Sequence, residues 1–343
     1  MRKFILALVF ISIAPALHAA PINWTGAVDN NWSVAGNWAG GNVPTANDEA
    51  IIQAGTPIAA VFGSTSAFVE GVDVRGALHV NQSAGLNLRD GVFHSSLVRS
   101  GAELRAQHFG SIFVSTFHSL AIDSGATMNV VDGARFVTNA NSDGINFNRT
   151  NLNAGAQLNV RNSAVMENRG DLENRGGVIT LSGAAFGANI GAGADLTNAG
   201  TMHIQSSAGF NNGANTRFFQ QGTLNINAGS QFVNAGGATF SHTGGTLNVT
   251  ANGTFDMQGG NVTLSGGTTN ISTGGRMLAG ANSLSLNGGT LNVSDQGTMT
   301  ITSGLTQNAG SLVVHNNGQF TNDDHLQREW REFHCRIRRH RNK

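Results

Sequence analysis

The chain has 343 residues, of which 46 are glycine, and only 12% are charged, about half of the usual quarter. Its 20 Lys and Arg balance its 20 Asp and Glu, which argues against binding to nucleic acid or anionic membranes, because such proteins carry an excess of basic residues. The apolar fraction of 40% excludes a disordered chain, and the single cysteine, Cys335, leaves no intrachain disulfide.

The N-terminus has the three regions of an export signal. Arg2 and Lys3 precede an apolar run from Phe4 to Leu17, and the small residues Ala19 and Ala20 follow. This pattern predicts a signal peptide over residues 1–19, cleaved after Ala19; an uncleaved anchor is the alternative. The run is shorter than the ~20 residues that a membrane-spanning helix needs. No later stretch is long and apolar enough to span a membrane as a helix, so we expect no transmembrane helix in the mature chain. We expect this chain to be exported to the cell surface, the outer membrane or the extracellular space.

Residues 20–57 differ from everything that follows them. They contain Trp24, Trp32 and Trp38, three of the four tryptophans of the chain. The residues after this segment form a repeat that predicts a solenoid. A solenoid exposes unpaired strand edges and apolar core at its ends, and therefore needs a cap. We interpret this segment as an N-terminal cap; a carbohydrate-binding aromatic patch is the alternative.

Glycine opens a series of near-identical short segments after the cap. Four of them read Gly222-Thr-Leu-Asn-Ile, Gly245-Thr-Leu-Asn-Val, Gly267-Thr-Thr-Asn-Ile and Gly289-Thr-Leu-Asn-Val. The opening glycines recur every 21 to 23 residues: Gly155, Gly177, Gly200, Gly222, Gly245, Gly267, Gly289 and Gly310. Weaker copies open at Gly76, Gly101 and Gly125. Self-similarity at a constant period is the signature of a repeat architecture.

Within each repeat the apolar residues lie two apart, which is the period of a β-strand. Leu247 and Val249 form such a pair, and further strands follow at residues 253–257 and 261–264. Three short strands per ~22 residues predict an all-β fold, a single-stranded parallel β-helix (solenoid) of about 11 coils over residues 58–323. We expect this β-helix to be right-handed, although the repeat itself does not determine the hand. A large antiparallel barrel or sandwich is the alternative.

The distribution of proline supports the solenoid independently. All four prolines lie within the first 57 residues. Nearly every strand of a solenoid is central and donates to a neighbour, and proline would delete one of these ladder hydrogen bonds.

The Trp-rich segment and the Gly-Thr-Leu-Asn-Val type of repeat together resemble glycine-rich exported bacterial β-strand-repeat proteins, including autotransporter passengers. The resemblance covers nearly all of residues 20–323. It implies a secreted or surface-displayed structural or adhesive β-helix without catalytic activity, and this is our leading hypothesis for function. The group has no shared catalytic motif, so the resemblance assigns no catalytic, cofactor-binding or metal-binding residue.

A β-helix can also be a polysaccharide-acting enzyme, a lyase or hydrolase, and this is the second hypothesis, with a site in residues 85–175. Such enzymes use clustered carboxylates. From Gly176 to Asn322 the acids are few and dispersed: Asp195, Asp256 and Asp295. The densest acidic group, interpreted as a solvated loop between Val160 and Ile179, mixes acids with bases: Arg161, Glu167, Arg169, Asp171, Glu173 and Arg175. The histidines are scattered and do not have the spacing of zinc ligands, so we expect no metal and no cofactor.

Two rows of polar residues are the candidate binding surface. If the apolar residues of the first strand point inward, their neighbours point outward and repeat every ~4.8 Å along the axis. One row is Thr201, Thr223, Thr246, Thr268 and Thr290, and the other is Asn225, Asn248, Asn270 and Asn292. They are interpreted first as ordinary solvent-facing strand residues, stiffened by axial hydrogen bonds between Asn side chains. The alternatives are a contact surface for a host or environmental glycan or protein, and an ice-binding lattice.

The tail, residues 324–343, has a different composition. Glycine ends at Gly318, and six of the 18 arginines follow it. We interpret the tail as out-of-frame sequence that follows a disruption near residue 324; a basic arm and a C-terminal cap helix are the alternatives. The hypothesis predicts an unprotected last coil that associates end to end, and it predicts that deletion of residues 325–343 leaves folding unchanged.

Overall fold

The computed structural model describes residues 20–62, 66–88, 95–114, 118–138, 149–280, 284–302, 304–315 and 317–322. The predicted signal peptide and the predicted out-of-frame tail lie outside the described residues. Within the described part, no helix is both long and apolar enough to cross a membrane.

The chain is an all-β parallel solenoid in which each coil contributes one strand to each of three sheets, as predicted. Sheet I, which holds the first strand of each repeat, has 12 strands, sheet II has 12 and sheet III has 13. The strands of sheet I are β3 (Ala59–Val61), β6 (Ala77–Val80), β9 (Glu103–Ala106), β12 (Thr127–Val131), β15 (Gln157–Arg161), β18 (Val178–Ser182), β21 (Thr201–Ile204), β24 (Thr223–Ile226), β27 (Thr246–Val249), β30 (Thr268–Ile271), β33 (Thr290–Val293) and β36 (Ser311–Val314).

The strands of sheet II are β4 (Ser66–Val69), β7 (Gly85–Leu88), β10 (Ser111–Val114), β13 (Arg135–Thr138), β16 (Val165–Asn168), β19 (Phe186–Asn189), β22 (Gly209–Asn212), β25 (Gln231–Asn234), β28 (Thr254–Met257), β31 (Arg276–Ala279), β34 (Thr298–Ile301) and β37 (Gln319–Asn322). Those of sheet III are β1 (Ala20–Asn23), β2 (Asp48–Ile52), β5 (Gly71–Val74), β8 (Ser95–Val98), β11 (Ser119–Ile122), β14 (Arg149–Asn153), β17 (Asp171–Arg175), β20 (Asp195–Asn198), β23 (Arg217–Gln220), β26 (Thr239–His242), β29 (Asn261–Leu264), β32 (Leu284–Leu286) and β35 (Leu305–Gln307). Two short 3₁₀ helices, Ala35–Asn37 and Ala39–Gly41, complete the described elements.

Each strand pairs in parallel with the equivalent strands of the coils before and after it. In sheet I, Leu224 pairs with Leu247, and Leu247 pairs with Thr269. The predicted first strands, from β6 to β36, therefore keep the predicted register, and β3 adds one strand before them.

The core is a continuous column of apolar side chains along the axis. Alternate strand residues such as Leu247 and Val249 are fully buried. In the middle of the rod, the Phe232 ring stacks between those of Phe210 and Phe255, with ring centroids 5.2 and 5.0 Å away. Since burial of one large apolar side chain contributes about 1.5–3 kcal/mol, this column is the main source of stability.

The repeat glycines stack at the corner between sheet III and sheet I. A Cβ on Gly222 would collide with the carbonyl oxygen of Gly200, and one on Gly245 would collide with that of Gly222. Gly245 has a φ of 67°, whereas Gly222 is not in the left-handed region. The close approach of successive coils is therefore the common reason for glycine here.

The Trp-rich segment packs on the first coils. Its strands β1 and β2 extend sheet III, and Asn31 forms a parallel bridge with Ala60 of β3. Trp24, Trp32 and Trp38 are 1–2% exposed and pack edge to face. These buried rings are not available to a carbohydrate, so the alternative of an aromatic patch is wrong.

Candidate functional site

The two predicted polar rows lie on the outer face of sheet I. Thr223, Thr246 and Thr268 occupy equivalent positions in neighbouring strands, and the row runs from Thr201 to Thr290. Asn225, Asn248, Asn270 and Asn292 occupy the second outward position in the same way. All these side chains are half-buried, because each is flanked by its equivalents one coil away.

The asparagines form a hydrogen-bonded ladder along the axis. Asn292 donates from Nδ2 to Oδ1 of Asn270 (3.0 Å), Asn270 donates to Asn248 (2.9 Å), and Asn248 donates to Asn225 (2.8 Å). Asn225 then places its Nδ2 3.2 Å from Nδ1 of His203, which occupies the same outward position in β21. We name this row, His203 with the four asparagines, the C-terminal amide ladder.

A second ladder lies nearer the N-terminus of the same face. Asn159 donates from Nδ2 to Asn129 (3.1 Å), and Asn129 donates diagonally to Oε1 of Glu103 (2.8 Å), since its register partner in β9 is Arg105. We name this row the N-terminal amide ladder. The two ladders have the same donor direction, but the first ends on an imidazole and the second on a carboxylate.

The outer face of sheet I carries no charged residue in any strand from β18 to β36, all of which the structure describes. Its outward groups from β21 to β33 are hydroxyls, amides and the imidazole of His203. Burial lowers the pKa of His203 below its usual value, which favours the neutral ring. This surface is therefore polar, uncharged near neutral pH and periodic.

Charged residues are concentrated on the other two sheets. Glu167 lies on β16, and Asp171, Glu173 and Arg175 lie on β17. The prediction of a solvated loop between Val160 and Ile179 is therefore wrong. These residues continue the strand alternation. Their charges are paired within one coil, as between Arg175 and Glu173, and across neighbouring coils, as between Arg135 and Glu167.

Two arginines bind Glu167 on sheet II. Arg135 and Arg169 each donate to one of its carboxylate oxygens at 2.6 Å. Burial alone would raise the pKa of Glu167, but these two hydrogen bonds lower it below its ordinary value.

Sheet III brings two carboxylates into neighbouring positions. Asp171 pairs in register with Asp195, and Arg149 and Arg217 occupy the same position in the strands on either side. Arg217 donates to both oxygens of Asp195, at 2.7 and 2.5 Å, whereas Nε of Arg149 lies 3.9 Å from Asp171. Burial, assisted by the charge of Asp195, raises the pKa of Asp171 to about 6. The remaining dispersed acids stay apart: Asp256 lies on sheet II and Asp295 at the corner that follows sheet I.

Buried asparagines form a further ladder that the sequence analysis did not predict. Asn168 donates to Asn189 (2.9 Å), Asn189 to Asn212 (2.8 Å) and Asn212 to Asn234 (2.8 Å), and all four are fully buried. They end the strands of sheet II, and their separations of 21, 23 and 22 residues repeat the period of the coil. Their donor direction is opposite to that of the two outer ladders.

Elsewhere in the described residues, Arg75 and Arg99 both bind Asp73 on sheet III. A second buried ladder on the same sheet runs from Asn174 through Asn198 to Gln220. Nε2 of His118 lies 2.7 Å from Oγ of Ser96, but both residues are fully buried. Among the described residues, no three His, Cys, Asp or Glu side chains lie close enough to hold a metal ion. A cleft of about 270 Å³ lies between the Trp-rich segment and β4, with Val43, Pro44 and Phe68 in its walls.

No family model matches the chain, and no curated protein matches it. Among solved structures, the chain is similar to a TibA fragment that was hyper-glycosylated in a reaction catalysed by TibC. The sequences are 17% identical, and the match covers 89% of this chain and 96% of the fragment with a TM-score of 0.34. A similarity at this level supports no inference about function.

Proposed function

We propose that this chain is a non-catalytic, exported β-helix that is displayed on the cell surface or secreted and binds a polar ligand, a glycan or a protein, through the outer face of sheet I. The observation that carries the proposal is the uncharged band of Thr and Asn, which continues over neighbouring coils and is held by side-chain hydrogen bonds. In the same proposal, residues 1–19 are the export signal and residues 20–57 form the cap.

The physical argument rests on preorganisation. An Asn side chain that is already fixed in a ladder loses little rotamer freedom when a ligand binds. Each amide has two N–H donors and uses one in the ladder, so a second donor and the neighbouring Thr hydroxyl remain for a ligand. Because these groups repeat every ~4.8 Å, a ligand with a repeating chain can engage several coils, and weak contacts accumulate.

Binding of the mature chain, residues 20–343, to a panel of glycans and matrix proteins tests the proposal. Thr246→Glu combined with Thr268→Glu places two charges on the outer face of sheet I, and we expect at least a tenfold loss of affinity. Thr239→Glu combined with Thr263→Glu is the matched control, since both residues face outward on sheet III. Equal loss in both variants, or the absence of any ligand in the panel, would contradict the proposal.

The charged group on sheet III favours a second candidate function, that of a polysaccharide-acting enzyme. A carboxyl with a raised pKa beside an ion-paired carboxylate is the arrangement that glycoside hydrolysis uses, with the first group as the acid and the second as the nucleophile when the two lie on neighbouring strands. Asp171 and Asp195 have these environments. Cleavage assays with the pure protein and its Asp171→Asn variant test this candidate. Cleavage by the parent chain that Asp171→Asn abolishes would replace the leading proposal.

A further inference from the structure

The direction in which the amides of the C-terminal amide ladder donate depends on His203, the residue at its end. Every amide in it donates toward the N-terminus, and the last donor, Nδ2 of Asn225, faces Nδ1 of His203. A ring nitrogen that accepts a hydrogen bond carries no proton. This arrangement therefore contains the neutral imidazole with its proton on Nε2.

Protonation of the ring makes Nδ1 a donor. Two donors would then face each other, unless the Asn225 amide turns over and presents Oδ1 to the ring. Its Nδ2 would then face Nδ2 of Asn248, and the same conflict would pass to Asn270 and Asn292. When all four amides turn over, the ladder again has three amide–amide bonds and one bond to His203, with the direction reversed.

The two arrangements contain the same number of hydrogen bonds, so the state of the ring can decide between them. The rest of the fold shows that both directions fit a coil of this size, because the buried ladder from Asn168 to Asn234 donates toward the C-terminus. The N-terminal amide ladder lacks the choice, since Glu103 as a carboxylate can only accept.

In the described strands packed against β21, no charged residue faces His203. The strands packed against β21 face it with Thr180 from β18 and Asn225 from β24. Among the described strands of sheet I, the charged residue nearest to it is Arg161, two coils away at the end of β15. Protonation of His203 therefore changes its hydrogen bond to the ladder and does not change a neighbouring ion pair.

We propose that His203 is a pH-sensitive polarity switch, and that its protonation reverses the donor and acceptor pattern of the outer face of sheet I from Asn225 to Asn292. As a regulation of ligand binding, this inference rests on the proposed function. The reversal of the ladder itself does not rest on the proposed function, because this reversal can be observed without a ligand.

NMR of the mature chain labelled with ¹⁵N in Asn and His tests the switch. As the pH is lowered from 8, we expect the side-chain amide signals of all four asparagines to shift together with the His203 ring, at one midpoint that burial places below the ordinary pKa of histidine. In a His79→Gln background, which removes the imidazole that lies 3.6 Å from Glu103, the amide signals of Asn129 and Asn159 should not follow that midpoint, since their ladder ends on a carboxylate and not on an imidazole. A shift that is confined to Asn225, or none while His203 titrates, would overturn the inference.

Two substitutions fix the end of the ladder. In His203→Lys the terminal group only donates, and we expect the four amide signals at pH 8 to lie at the acidic positions of the parent chain. In His203→Glu the terminal group only accepts, and the signals should keep their basic positions down to pH 5.5. His203→Gln can donate or accept and does not titrate, so its amide signals should be independent of pH.

If a variant fails to fold, the titration of the parent chain still decides. The switch and the proposed function are tested in different experiments. Amide signals that do not change during the titration of His203 would reject the switch, and failed binding to the panel would reject the proposed function.

Discussion

At the scale of single residues, chain neighbours in this fold have opposite environments. Leu247 is fully buried between Leu224 and Thr269, whereas Asn248 faces outward in the ladder. Leu247→Asp places an unpaired carboxylate in the core, which costs several kcal/mol, and we expect loss of the β circular dichroism signal at room temperature.

Asn248→Asp is the control for that substitution. It removes one ladder bond at a half-buried position, and we expect a far smaller effect, about 1 kcal/mol. Equal loss of the β signal in the two variants would show that the assignment of inward and outward positions is wrong.

Asp171 should make the stability of the chain depend on pH. Because burial raises its pKa from 3.8 to about 6, the folded state holds this proton more tightly than the unfolded chain does. The stabilisation is fully present below pH 3.8 and is lost as the pH rises through about 6. Asp171→Asn should therefore be more stable than the parent chain at pH 7.5, by on the order of 3 kcal/mol, and close to it in stability near pH 3.5.

Urea unfolding at the two pH values measures this difference. Asp256→Asn is the control, since Asp256 lies on sheet II, away from Asp195 and Arg149. A variant Asp171→Asn that is less stable than the parent chain at pH 7.5 would mean that the contact with Arg149 outweighs the burial of the carboxylate.

At the scale of the elements, the stacked glycines allow successive coils to approach closely at the corner between sheet III and sheet I. Gly245→Ala would bring a Cβ into the carbonyl oxygen of Gly222 and also force alanine to a φ of 67°. Gly229→Ala imposes only the second penalty, since its φ is 72° and no atom lies within 4 Å of the new Cβ. We expect a cost of about 1 kcal/mol for Gly229→Ala and at least twice that for Gly245→Ala.

Thermal unfolding followed by circular dichroism compares the two variants directly. Similar melting temperatures would show that backbone conformation alone, and not the contact between coils, requires glycine at this corner.

The repeat made the strands of sheet I readable from the sequence, because one glycine and two inward apolar residues recur in each coil. Two features escaped prediction for physical reasons. Glu167 and Glu173 resembled a loop, since their outward charges hide the strand alternation, and only the pairing with Arg135 and Arg149 shows why they are tolerated. The buried Asn212 was not predicted because an isolated polar side chain is rarely buried. Its partners lie one coil away and are revealed only when the ~22-residue period is applied to polar residues too.

The position of His203 in the outward row could be predicted from the same period, but its role could not. That role depends on the direction of the amides in the three coils that follow it. The repeat period predicts the row and its spacing, but the direction of amide donation along the row is known only from the hydrogen bonds of the structure.

At the scale of the whole molecule, charge divides the rod into two parts. The ion pairs of Asp73, Glu167, Glu173 and Asp195 lie in its N-terminal part. From residue 218 to 322 the sequence has only three charged residues, Asp256, Arg276 and Asp295. Salt screens partly exposed pairs, each worth up to about 1 kcal/mol, so 1 M NaCl should weaken only the first part.

Amide hydrogen exchange at 0.05 and 1 M NaCl measures this difference. We expect exchange to become a few times faster in strands between β5 and β23 and to be unchanged between β24 and β34, since 0.6 kcal/mol corresponds to a factor of about 2.7. A uniform change along the rod would show that its coils open as one cooperative unit.

The stacking of coils also determines how the rod responds to force. Its strands run across the long axis, so a pull on the two ends loads the hydrogen bonds between coils one row at a time and does not shear a whole sheet. Each coil that opens at an end exchanges a rise of ~4.8 Å for roughly 70 Å of extended chain. A rod of this kind lengthens in steps of one repeat, and a load that detaches its last coil leaves the remaining coils folded.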